Sequence, residues 1–119
     1  MQLRASISAS PFDERYQMAY VYCRDVTTGY CFSLARFPNE DEIEVMVSDQ
    51  LNTKVADICV RFNGNTIYVD LPAPVAERLD GKQKYEIKLV SIEGREQEIQ
   101  SALRKIFEGK VGFEYPTSP

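Results

Sequence analysis

The chain has 119 residues, 44% of them hydrophobic and 27% charged, with a formal net charge of −4 and a pI near 4.9. A chain of this length fits one domain that hides roughly two thirds of the surface its unfolded form exposes, so no metal or disulfide is required to hold it, and the composition argues against disorder or a fibrous fold. The acidic balance opposes a sequence-independent grip on phosphate backbones, and no apolar run approaches the roughly 20 residues that span a bilayer, which excludes nucleic acid and membrane as expected partners.

Leu3, Ala5, Ile7 and Ala9 alternate with Gln2, Arg4, Ser6 and Ser8, predicting a strand near 2–9 with one wet face. The same start, MQLRASISAS, lacks the continuous apolar core of a signal peptide, so a cytoplasmic location is expected. After Pro11, residues 15–24 carry apolar or aromatic side chains on both parities, as in a strand covered on both faces. Tyr16, Met18, Tyr20 and Tyr22 share one of those faces; packing under a helix is the preferred reading, and an interaction stripe is the alternative. Gly29 closes a short loop that pairs 15–24 with 30–37 as an antiparallel hairpin.

The stretch PNEDEIEVMVSDQLN places Glu40, Asp41, Glu42 and Glu44 before and within a strand of about 42–48, in which Ile43, Val45 and Val47 point one way and Glu42, Glu44 and Met46 the other. The acids either keep an edge strand soluble or steer a basic partner into contact. SDQLNTK, from Ser48 to Lys54, reads as a polar loop. Ile58, Val60 and Phe62 then alternate inward, Asn63-Gly64 supplies a turn that allows positive φ twice, and Ile67, Val69 and Leu71 alternate back.

PAPVAERLDG, with Pro at its start and Gly81 beyond its end, reads as a helix of about two turns. Tyr85, Ile87 and Leu89 mark another strand, and Ser91 is a candidate helix N-cap. Beyond it, Ile99, Ala102, Leu103, Ile106 and Phe107 fall on one helical face, with acids early, basic residues late, and Gly109 at the C-terminal cap. Residues FEY suggest a last strand. The expected architecture is α+β: a mainly antiparallel meander of some seven strands with one short helix and a C-terminal amphipathic helix packed on one face, in a single domain over 1–115, with a frayed tail at 116–119.

The side chains that usually carry chemistry are scarce. Histidine is absent, which removes the commonest general base near neutral pH and the commonest neutral metal ligand. Cys23, Cys31 and Cys59 are odd in number and lack paired metal-ligand spacing; half-buried packing thiols are expected, with a Cys23–Cys31 bridge left geometrically open. NEDEIE lacks the glycine and ligand spacing of a calcium loop, and no strand, glycine-rich loop and helix follow one another as phosphate binding requires. Carboxylate pairs such as Glu40 and Glu42 are common on acidic surfaces and are not diagnostic. No catalytic residue, metal site or cofactor is therefore expected.

The order EDEIEVMVSDQLN, ADICVRFNGNTIYVDLPAPVAERLDG, KYEIKLV and ALRKIFEG resembles the tenth immunity-protein family of bacterial polymorphic toxin systems, over roughly residues 30–109. The matching positions are Asp49, Gln50 and Asn52; Leu71, Ala76 and Leu79; and Leu103, Ile106 and Phe107. Lys54-Val55-Ala56 stands where that family usually carries Tyr-Gly-Gly, a departure that bears on the local loop shape. The resemblance implies a non-catalytic cytoplasmic protein that binds and occludes a cognate toxin. Glu40, Asp41, Glu42 and Glu44 would meet cationic groups of a basic toxin, and Asp49, Gln50 and Asn52 would hydrogen-bond at its rim. The alternative is a homo-oligomeric structural or accessory module, paired through an edge strand or the tyrosine face; the sequence leaves the oligomeric state open.

Overall fold

The computed structural model describes residues 1–15, 17–48 and 50–114. In chain order the elements are β1 (Gln2–Asp13), β2 (Met18–Asp25), β3 (Cys31–Arg36), β4 (Ile43–Val47), β5 (Leu51–Val55), β6 (Cys59–Asn63), β7 (Thr66–Asp70), α1 (Ala73–Glu77), β8 (Lys84–Leu89), α2 (Glu96–Ile106) and β9 (Phe113–Glu114). The strands form one nine-stranded sheet in the order β5-β4-β3-β2-β1-β8-β7-β6-β9. Two of its joints, β1 with β8 and β6 with β9, are parallel and the rest are antiparallel.

This overturns the expected helix-covered meander of seven strands. Of the described residues 48% lie in strands and 14% in two short helices, so the fold is mostly sheet. The meander holds only from β1 to β5; the chain then leaves that edge and returns on the far side of β1. A period-two pattern marks a strand but does not name its neighbour, which is why the parallel joints were not visible in it.

The sheet is rolled. Laid flat, β5 and β6 would stand seven inter-strand spacings apart, roughly 34 Å, yet only residues 56–58 connect Val55 to Cys59. Four residue steps reach at most about 14 Å, so the two ends of the sheet curve toward each other. Arg78, just past α1, donates from Nε to Thr53 Oγ1 of β5 at 2.9 Å across the closing side.

The inner face of the roll is the core. Ala5, Cys23, Ile43, Val45, Val47, Ile87, Ile99, Ala102, Leu103 and Ile106 are fully buried there. Phe32 lies 4.9 Å from the ring of Tyr85, joining the two halves of the roll. The apolar stripe of α2 belongs to this same cluster, and the helix touches β1, β2 and, more lightly, β3. Val75, Ala76 and Leu79 of the α1 segment belong to it as well.

Several local expectations are corrected. β1 extends past residue 9 and through Pro11, with a register shift between Ser10 and Asp13. SDQLNTK is no loop beyond residue 50: Ser48 takes a positive φ of 54°, and Leu51–Val55 pairs antiparallel with β4 as an edge strand. The β6–β7 turn is Gly64-Asn65, between the paired Asn63 and Thr66, and positive φ is needed once, at Gly64. Ser91 is not the N-cap of α2, because a turn closed by Arg95 N–H to Ile92 O intervenes and the helix begins at Glu96. The frayed tail expected at 116–119 lies outside the described residues, as does Tyr115 of the FEY stretch, whose Phe113 and Glu114 form β9.

Candidate functional site

Alternation fixes what each half of the sheet shows outward. In β2, Ala19, Val21 and Cys23 are buried in the core, so Met18, Tyr20 and Tyr22 stand on the outer face, each half-buried. The expectation that this tyrosine stripe packs under the helix is therefore reversed, since α2 occupies the opposite side of the sheet; Tyr16 lies outside the described residues.

Register then assembles a surface. One row across the outer face runs Ser8, Tyr22, Ser33, Met46, Asn52, and the next runs Ser10, Tyr20, Ala35, Glu44, Lys54. Small side chains at 8, 33 and 35 leave room for the aromatic rings to lie down on the sheet. Tyr20 Oη is 3.0 Å from Ser8 Oγ, and Tyr22 Oη is 2.9 Å from Cys31 Sγ. Both contacts are diagonal to the register, so both rings lean along β2 toward its C-terminal end, one over β1 and one over β3.

The candidate acids border this pavement on one side. Glu44 sits within β4 directly opposite Lys54, and Glu42, exposed, precedes the strand on the same parity. Lys54 Nζ reaches instead to Glu40, at 3.1 Å. That hydrogen bond, then the charges of Glu40, Glu44 and Glu42, raises the Lys54 pKa. One cation is thus shared among three acids. Asp41 points away, 96% exposed, with Arg36 at 3.8 Å and Lys110 at 4.0 Å.

Of the polar residues expected in a loop, Asn52 lies on β5 beside Met46, Gln50 is exposed just before that strand, and Asp49 lies outside the described residues. The acids at 40–42 and Gln50 occupy opposite ends of the β4–β5 hairpin, roughly 15 Å apart over a five-residue strand. The structure thus brings Glu40, Glu42, Glu44 and Asn52 to one face and leaves Asp41 and Gln50 at its ends. Met46 and Lys54 were missing from the sequence-based set, and Tyr20 and Tyr22 stood outside it as the less favoured interaction stripe. The serines at every outward position of β1 from 6 to 10 were the available signal, because such a face cannot cover its neighbours.

No family model, curated protein or solved structure matches the chain.

The thiols divide in the same geometry. Cys23 pairs with Phe32 on the inner face while Cys31, paired with Arg24, bonds on the outer face, so the two side chains stand on opposite sides and the bridge left open by the sequence is not formed. Burial, with a smaller contribution from Cys31, pushes the Cys23 thiol up to about 12, far from a reactive thiolate. Cys59 is exposed, against the half-buried expectation.

Away from the pavement, Asp80 accepts from the hydroxyls of both Tyr30 and Tyr85, whose oxygens lie 2.9 Å apart. Burial raises both phenols, Tyr85 to about 12; Asp80 raises both further, while the hydrogen bond between the two hydroxyls raises Tyr30 and lowers Tyr85. This cluster ties the segment after α1 to the start of β3, and of its three members Tyr85 also lines the depression between Met1, Arg61 and Lys84. Among the described residues no helix is long and apolar enough to cross a membrane.

Proposed function

We propose that this chain is a non-catalytic bacterial immunity protein that binds a cognate toxin in the cytoplasm and occludes it. The observation that supports this reading best is the outer face of β2–β5, where half-exposed aromatic and thioether side chains form a continuous surface and three acids share one lysine. Faces of this kind suit a contact of standard size, about 1,600 Å² in total, with aromatic anchors at the centre and charge at the rim. Inhibition by occlusion needs no reacting group. Glu40, Asp41, Glu42 and Glu44 meet cationic groups of the toxin, and Asp49, Gln50 and Asn52 hydrogen-bond at its margin.

The test is co-expression with the toxin encoded by the neighbouring gene. Growth rescue and a stoichiometric complex support the reading; absence of both counts against it. Exchanging Glu42 and Glu44 for lysine slows association and flattens its salt dependence, because rim charges act mainly on the encounter.

One observation favours a second reading, a homo-oligomer joined edge to edge. Among the described residues β5 ends the sheet as a five-residue strand with no outer neighbour, and Leu51 on it is 38% exposed. Light scattering on the isolated chain separates the two: a stable dimer that protects residues 51–55 supports pairing through β5, and a monomer excludes it.

A further inference from the structure

We infer that the centre of the docking surface is the pair Tyr20 and Tyr22, and that the partner meets it with arginine side chains. This rests on the binding role proposed above and specifies its chemistry. The outer face of β2–β5 has no helix over it among the described residues, while the inner face of the same strands is filled by α2 and the core. Its two tyrosine rings are held down through their hydroxyls by Ser8 and Cys31. Rings fixed in advance lose little freedom on binding, the condition under which aromatic contact area becomes affinity.

Charge complementarity names the occupant. Glu44 lies one register pair from Ala35 and two from Tyr20 in a single row, with Glu42 on the same parity. Neither acid has a salt bridge among the described residues, and the one nearby lysine reaches Glu40. A cation arriving here faces carboxylates at one edge and aromatic faces beside them. Guanidinium suits both, since it is planar, stacks on a ring and bonds a carboxylate through two N–H groups, whereas ammonium is a compact and strongly hydrated charge. The protein already makes such a stack elsewhere: Arg61 lies 4.6 Å over the ring of Tyr68.

The experiment titrates nona-arginine and nona-lysine separately into isotopically labelled protein at low salt and follows amide and tyrosine-ring resonances. Shifts centred on Tyr20, Tyr22, Glu44 and Met46, with nona-arginine at least fivefold tighter than nona-lysine, are the expected result. Equal affinity for the two peptides, or shifts centred elsewhere, overturns the inference. Tyr20→Ala weakens the arginine peptide at least fivefold, and Tyr20→Phe, which keeps the ring but frees it from Ser8, weakens it by a smaller factor. Should a tyrosine variant fail to fold, Met46→Arg, which places a like charge on the same face, abolishes binding. With the neighbouring-gene toxin, Tyr20→Ala and Tyr22→Ala each raise the dissociation rate about tenfold or more. Rescue by the wild type together with unchanged dissociation of folded tyrosine variants sinks the inference and leaves the immunity reading standing. Arginine-selective binding at this face without rescue sinks the immunity reading and leaves the inference standing.

Discussion

The two halves of the rolled sheet share an inner face and differ in what they show outside. Across β8, β7 and β6, with Gln2 of β1, several outward residues pair with one another: Gln2 donates to Glu86 at 3.1 Å, Lys84 lies 3.9 Å from Asp70, and Arg61 covers Tyr68. Across β2–β5 the outward tyrosines reach with their hydroxyls to Ser8 and Cys31, and the acids outnumber their lysine. One surface pairs opposite charges and covers its outward tyrosine, whereas the other keeps aromatic area and negative charge that a partner would complete. Inward alternation alone would never separate them, because both halves read as equally good strands.

The halves are also anchored differently, and this can be broken from either side. The β6–β9 half depends on backbone approach. A Cβ at Gly112 would overlap the carbonyl oxygen of Ile58, on a segment where Asp57 accepts from the N–H groups of Ile58 and Val111 at 2.9 and 3.1 Å. Gly112→Ala should therefore cost about 3 kcal/mol or more in urea unfolding, since the obstruction is main chain and cannot turn aside.

In the β1–β5 half the anchors are side chains. Arg36 donates from Nη1 to the carbonyl of Ile106, at 3.0 Å, and to that of Glu108, and from Nε to Glu40 O at 3.1 Å, closing the end of α2 onto the β3–β4 turn. Arg36→Ala should cost about 2 kcal/mol by the same measurement, as the loss of hydrogen bonds from a charged group that is mostly buried. A cost near zero would show that α2 is held by its apolar stripe alone.

A subtler test uses acid. Asp25 accepts from the N–H groups of Thr28, Arg4 and Thr27, which hold its carboxyl down to about 2. A depressed carboxyl stabilises the fold above its ordinary value near 4, and that contribution disappears as pH falls toward 2. Asp25→Asn should lower stability at neutral pH and flatten the acid limb between about pH 4 and 2, read by thermal melting across pH. The smallest effect belongs to the self-paired face: Lys84→Ala should change stability by less than about 0.5 kcal/mol, because the pair with Asp70 is exposed on both sides. A larger loss would mean that the outer pairs of this half hold the fold.

Much of this was legible in the chain. The inward sets of β1, β4, β6, β7 and β8 and the stripe of α2 stand at the spacings that the sequence advertises. β5 was not legible, because Leu51, Thr53 and Val55 alternate within a stretch whose polar residues read as a turn, and only pairing with β4 makes it a strand. The face of Tyr20 and Tyr22 was misassigned for a related reason. Residues 15–24 are apolar or aromatic on both parities, and which parity faces the core depends on neighbours contributed by distant segments. The acids were found by composition, but their convergence with Asn52 and Lys54 and their distance from Gln50 follow from the hairpin that the sequence hid.

The parallel joint between β1 and β8 also sets a schedule for synthesis. Gln2 meets Glu86, a separation of 84 residues, so at 5–20 residues per second the first strand waits roughly 4–17 seconds for the neighbour on its second side. During that interval β2–β5 can stack in order of emergence while one flank of β1 is open to other chains or to chaperones. Ribosome-held chains ending before Lys84 should be cut by protease within the first strand, and chains long enough to expose Leu89 beyond the exit tunnel should resist.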